Sequence, residues 1–147
     1  MIHQLQGYSN KLKERSNSRR KTFACDLGMM NALWTKPTPD LGAKFETLIY
    51  LHLLRLAQKV FYLRVDNCEV DFCVVKDDKP YELVQACYDL SDQKTRQREI
   101  KALFELGKRF RIKRLRIVTR DEQDQIKSGA ATIELTPVAK YLIAAEL

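Results

Sequence analysis

Glu69-Val70-Asp71-Phe72-Cys73-Val74-Val75 is an apolar strand interrupted by two carboxylates, and the segments on either side of it decide what it belongs to. Successive side chains of a β-strand point to opposite faces. Period two therefore sets Glu69, Asp71 and Cys73 on one face and Val70, Phe72 and Val74 on the other. Upstream, Val60 to Val65 is rich in β-formers. Downstream, Tyr81 to Tyr88 alternates again, with Leu83, Gln85 and Cys87 on one face and Glu82, Val84 and Ala86 on the other. Asp66-Asn67 and Asp77-Asp78-Lys79-Pro80 are the intervening turns, short enough to make the strands antiparallel. A hairpin of the last two strands brings Asp71 beside Gln85.

Working outward, Phe45, Leu48, Ile49, Leu53, Leu56 and Ala57 recur at helical spacing, which predicts a helix over Leu41 to Lys59 with Glu46 in its first turn. A second helix is expected from Ser91 to about Arg109, its apolar face built by Ile100, Leu103, Phe104 and Gly107. A strand at Arg114 to Thr119, a loop or short helix at Asp121 to Gly129, a strand at Thr132 to Thr136 and a helix after Pro137 complete the chain. Towards the N-terminus, Lys21 to Cys25 reads as a short strand and Asp26 to Leu33 as a helical turn capped by Asp26. Lys36-Pro37-Thr38-Pro39-Asp40 is a break. The first 20 or so residues are polar and aperiodic, so residues 1–20 read as an arm or the remnant of a preceding module, and 21–147 as the domain proper. The order of elements implies an α/β fold with a mixed sheet and helices on both faces.

Of 147 residues, 45% are hydrophobic and 31% charged, with only 5 Gly and 4 Pro, which excludes collagen-like, low-complexity and wholly disordered chains. The longest apolar stretch, Leu48 to Leu54, is broken by His52 and falls short of the roughly 18–20 residues that cross a bilayer. Met1 to Gly7 lacks the features of a secretory signal, so a cytoplasmic, non-membrane protein is expected. Cys25, Cys68, Cys73 and Cys87 are too few and too irregular for a disulfide framework and are expected as free thiols. Cys68 and Cys73 are the only cysteines near zinc-ligand spacing, and an odd separation of five turns them to opposite faces of a strand.

The net charge of +7 is unevenly placed. Residues 11–21 carry six cations against Glu14 alone. Residues 94–116 carry ten, among them Lys94, Arg96, Arg98, Lys101, Lys108 and Arg109, against Glu99 and Glu105. Such asymmetry suits a phosphate-facing surface, because each neutralised phosphate releases condensed counterions. A solvated helix face with internal pairing is the plainer alternative. Carboxylates in an apolar strand are costly to bury unless paired or metal-bound. Asp71, Gln85 and Glu46 thus form a candidate hard-cation set for magnesium, against the plainer reading that nearby Arg or Lys neutralise them. Trp34 reads as a lid over the core rather than a base-stacking platform. His3 and His52 lack a nucleophile partner.

Five segments in order carry a resemblance: Lys21-Thr22-Phe23-Ala24-Cys25-Asp26-Leu27-Gly28, Gly42 to Tyr50, Phe61-Tyr62-Leu63-Arg64, Glu69-Val70-Asp71-Phe72, and Leu83 to Leu90. With Arg98 to Leu103 and Ile117 to Asp121, they resemble the C-terminal domain of unknown function carried by many prokaryotic AAA-type ATPases. The likeness spans nearly all of residues 8–143. That domain is similar to the restriction-endonuclease-like, PD-(D/E)xK fold. The resemblance implies Glu46 as the helical acid, Asp71 as the metal-binding Asp and Gln85 as the next strand ligand. Position 87 would be a lysine, and here it is Cys87. A thiol neither stabilises an attacking hydroxide nor the charged transition state. Lys76 or Lys79 is left to take the role.

The expected function is therefore a catalytically degenerate, nucleic-acid-binding module, with DNA as the partner, attached to an ATPase. The chain itself has no GxxxxGK[ST] loop, so no ATP is expected in this fragment. The alternatives are a live magnesium-dependent DNA endonuclease using Glu46, Asp71 and Gln85, and a protein-interaction or regulatory module of the ATPase.

Overall fold

The computed structural model describes residues 2–9, 19–32, 40–56 and 59–144. A six-stranded mixed sheet is its centre. It is built from β3 (Lys59–Val65), β4 (Cys68–Lys76), β5 (Lys79–Ala86), β6 (Arg114–Thr119), β7 (Asp124–Ser128) and β8 (Ala131–Pro137), in the order β3-β4-β5-β6-β8-β7. β3, β4 and β5 run antiparallel through tight turns. Asp66, Asp77 and Asp78 adopt positive φ there, which short polar side chains tolerate. β6 then pairs parallel with β5, and β8 parallel with β6. That reversal requires a crossover, and α3 (Gln93–Phe110) supplies it.

α3 starts where Asp92 accepts a hydrogen bond from the Thr95 N–H at 2.7 Å, two residues later than the sequence pattern suggests. It buries Ala102, Leu103 and Leu106 against Val70, Cys73, Leu83, Leu115 and Ile117. Gly107 lets it approach closely, since a Cβ there would lie 2.8 Å from a Leu115 methyl. The opposite face is covered by α2 (Leu41–Arg55) and α4 (Val138–Ile143), through Phe45, Ile49, Leu53 and Tyr141 packed on Phe72, Val74, Val84 and Val118. Asp40 caps α2 by accepting from the Ala43 N–H at 2.9 Å. Helices thus lie on both faces, as the order of elements implies.

The structure corrects five of these expectations. Ile2–Leu5 is a strand, β1, paired antiparallel with β2 (Lys21–Ala24), and Leu5 is buried beside Phe23 in the core, so residues 2–5 are packed structure; residues 10–18 lie outside the described residues. Asp124–Ser128 is the edge strand β7 rather than a loop or helix. α2 ends at Arg55, and Lys59 already belongs to β3. The strict alternation of β4 fails: Phe61 pairs with Cys73 but Leu63 pairs with Val70, so β4 carries one extra residue beside Asp71. Val70 accordingly joins Cys73 and Val75 on the α3 side, while Phe72 and Val74 face α2. The bulge also places Cys68 and Cys73 against the same cluster, not on opposite faces. All four cysteines are free. α1 (Leu27–Ala32) begins under Asp26, which accepts from the Met29 N–H at 2.7 Å; Trp34 and the Pro37/Pro39 break lie outside the described residues. Among the described residues no helix is long and apolar enough to cross a membrane.

Candidate functional site

The β4 bulge aims Asp71 at the meeting point of three elements. Its backbone N–H, displaced from the regular ladder, donates to Gln85 Oε1 at 3.1 Å, and its Oδ2 accepts from the Ala86 N–H at 3.2 Å. The expected pairing of Asp71 with Gln85 is therefore present, with Gln85 satisfying a buried main-chain donor. Asp71 Oδ1 lies 2.9 Å from Lys21 Nζ. Glu46 reaches the same ammonium at 3.2 Å and Glu69 at 2.8 Å. Glu46 stands in the second turn of α2, beside buried Phe45 and Thr47, and not in the first turn. Its carboxylate is therefore placed for this cluster rather than for the helix dipole, which fades within one turn.

Lys21 is the residue that sequence reasoning missed. It belongs to the basic run 11–21, whose charge suits a phosphate-facing surface, whereas its side chain is only 24% exposed and is turned inward. Its Nζ also lies 5.8 Å from the Tyr62 ring centroid, and the Tyr62 hydroxyl donates to the Arg19 carbonyl at 2.6 Å. Lys76 and Lys79, the expected substitutes, face each other across the turn of the β4–β5 hairpin, and Lys76 rests on the Tyr81 ring. Neither joins the cluster.

The electrostatics follow from this crowding. Burial alone opposes the charge on Lys21, but Asp71, Glu46 and Glu69 together outweigh it and hold its pKa above the ordinary lysine range. Glu46 is pushed up to about 7, first by burial and then by the Asp71 charge, with Lys21 opposing both. Cys87 is pushed up to about 11 by burial and by the nearby Glu99 carboxylate, and its Sγ donates to the Asp89 carbonyl at 3.2 Å. At neutral pH it is a neutral thiol, unable to replace a lysine charge.

Beside Asp71 and Gln85 opens a cleft of about 400 Å³, walled on the far side by Arg98, Glu99 and Lys101 of α3. Lys21 and Glu46 do not line it. Of the basic residues expected to meet nucleic acid, four are engaged within the chain: Arg96 with Glu122 at 2.6 Å, Arg98 with Glu99 at 2.6 Å, Lys101 with Glu105 at 3.7 Å, and Arg109 with Asp66 at 3.4 Å. Lys94 and Lys108 are exposed and carry no ion pair among the described residues. His52 is buried against the Tyr141 ring, a structural placement, and His3 packs edge-on against Tyr50.

Carboxylate and amide oxygens are suitable donors for magnesium in kind, but their arrangement does not fit the ion. Glu46 Oε1 and Asp71 Oδ1 converge on Lys21, Asp71 Oδ2 holds the Ala86 N–H, and Gln85 Oε1 holds the Asp71 N–H. Among the described residues no group of three His, Cys, Asp or Glu side chains is disposed to hold a metal. No family model, no curated protein and no solved structure matches the chain.

Proposed function

We propose that this chain is a nuclease-like, nucleic-acid-binding module in which hydrolysis has lapsed, working with an AAA-type ATPase. The observation that carries the reading is the cleft shared by Asp71 and Gln85 on one wall and Arg98 and Lys101 on the other. Arg98 and Lys101 there, with Glu99 between them and Glu69 also in the lining, face the strand residues that a restriction-endonuclease-like enzyme would use, while position 87 holds a neutral thiol. Lys94 and Lys108 extend the cationic surface along α3. DNA is the partner favoured, since backbone phosphates demand charge without sequence-specific contacts.

Fluorescence anisotropy of a labelled duplex tests the proposal. Affinity should fall about tenfold or more between about 50 and 200 mM salt, and Lys94→Glu with Lys108→Glu should weaken it further. Absence of binding at low salt, or binding indifferent to salt, overturns the reading. Supercoiled DNA should stay intact with magnesium or manganese; cleavage that disappears in Asp71→Ala would instead establish the live endonuclease.

A second reading, a protein-interaction module of the ATPase, is favoured by the four basic side chains already paired within the chain. Stable association with the ATPase module, without any affinity for DNA, would establish it.

A further inference from the structure

Three carboxylates brought to one point repel one another, and more strongly in partly buried surroundings than in water. Glu46 comes from α2 and Glu69 and Asp71 from β4, and the fold turns all three toward one atom, Lys21 Nζ, at 2.8–3.2 Å. An ammonium has three N–H donors and no acceptor. Here it donates to Glu46 and Asp71, and Glu69 Oε1 lies 2.8 Å away as an ion pair, so three carboxylate oxygens surround the ammonium. Lys21 is also held from behind: it begins β2, pairing with Leu5 of β1, and Tyr62 fixes the preceding Arg19 carbonyl.

A divalent cation entering this cluster must evict that ammonium. The spacing is also wrong for magnesium, which asks for oxygens at about 2.0–2.1 Å in octahedral array. Contacts of 2.8–3.2 Å are those of N–H···O bonds. Two further oxygens already accept main-chain hydrogen bonds, Gln85 Oε1 from the Asp71 N–H and Asp71 Oδ2 from the Ala86 N–H.

We infer that Lys21 is the resident cation of this cluster, standing where a metal-dependent relative of the same architecture would hold a divalent ion. The inference takes its expectation of a metal from the nuclease-like reading, but its test contains no DNA. Failure to bind DNA and failure of the ion competition are therefore separate results.

The test is a manganese titration of the 147-residue chain, followed by calorimetry and by the electron-spin resonance signal of free Mn²⁺. The parent should show no binding tighter than about 1 mM. Lys21→Met removes the ammonium while keeping much of the stem's volume, and should bind Mn²⁺ at least about tenfold more tightly. Adding Asp71→Asn to that variant should abolish the gain, which places the ion in the cluster. Lys21→Arg retains a cation and should resemble the parent. Micromolar Mn²⁺ binding by the parent, removed by Asp71→Asn, overturns the inference; so does a folded Lys21→Met chain that binds no better than the parent. If Lys21→Met does not fold, the parent titrated beside its own Asp71→Asn variant decides the matter by the same criterion.

Discussion

Two ion clusters, one around Arg116 and one around Lys21, each gather carboxylates about a central cation. On the α4 side, Arg116 holds Glu82 at 2.9 Å and Glu134 at 3.3 Å, with its guanidinium 5.6 Å from the Tyr141 ring centroid. Glu82 is 1% exposed, and its Oε2 and the Tyr141 hydroxyl have no hydrogen-bond partner among the described residues. In the other cluster, Lys21 gathers Glu46, Glu69 and Asp71 next to an open cleft. The first cluster keeps Glu82 almost wholly buried, although Glu134 is 52% exposed and a cavity of about 320 Å³ opens beside Arg116 and Glu134. In the second, Glu69 and Asp71 belong to a surface that a polyanion or a cation can approach. A charged group becomes a candidate for function through access, and burial alone does not make it one.

The sharpest way to break that contrast is Arg116→Met. Removing the cation hydrogen-bonded to a buried carboxylate should cost about 3–5 kcal/mol in urea unfolding, while replacing Glu82 by Gln at the same time should recover part of the loss. A loss below about 1 kcal/mol would mean that Glu82 is carried as the neutral acid and needs no partner.

The open cluster should respond to pH instead. Burial and Asp71 raise the Glu46 pKa from its ordinary 4.5 to about 7. A raised carboxylate pKa contributes stability that is fully present below the unfolded value and is lost as pH rises through the folded one. The parent should therefore lose stability between about pH 5 and 7.5 more steeply than Glu46→Gln does. His52, lowered by burial and by Arg55, works with the opposite sign and is common to both chains, so the difference isolates Glu46. Parallel pH profiles would sink the assignment. The smallest effect is expected at Lys101→Ala. The Lys101–Glu105 side chains are 72% and 51% exposed, so stability should move by less than about 0.5 kcal/mol. The salt slope of DNA binding should nonetheless fall by about one if Lys101 meets a phosphate.

The elements that sequence made legible are those whose burial follows a simple period. β3 to β6 and both long helices are such elements, because one face or both meet the core. β7 escaped because its only apolar side chain is Ile126, and β1 because four residues are too few to display a period. That Asp71 would meet Gln85 was legible from the hairpin of β4 and β5. Their geometry was not, because a bulge adds one residue to β4 and leaves no mark in an alternating string. Lys21 was hidden for another reason. It lies 25 residues from Glu46 and 50 from Asp71, and in a run of cations nothing local distinguishes the one that turns inward.

The N-terminal segment beside Tyr62 has a consequence for solubility. β3 ends the sheet on one side, and an exposed end strand offers its main-chain groups to any other extended chain. The Tyr62 N–H donates to the Gln6 carbonyl at 3.0 Å and the Tyr62 carbonyl accepts from the Tyr8 N–H at 2.8 Å, so a partner is already in place along that margin. The other margin, β7, is short and bears Asp124 and Lys127, charges that disfavour stacking against a second copy. One border of the sheet is thus guarded by its own chain and the other by charge, and trimming the first few residues should make the former the site where self-association begins.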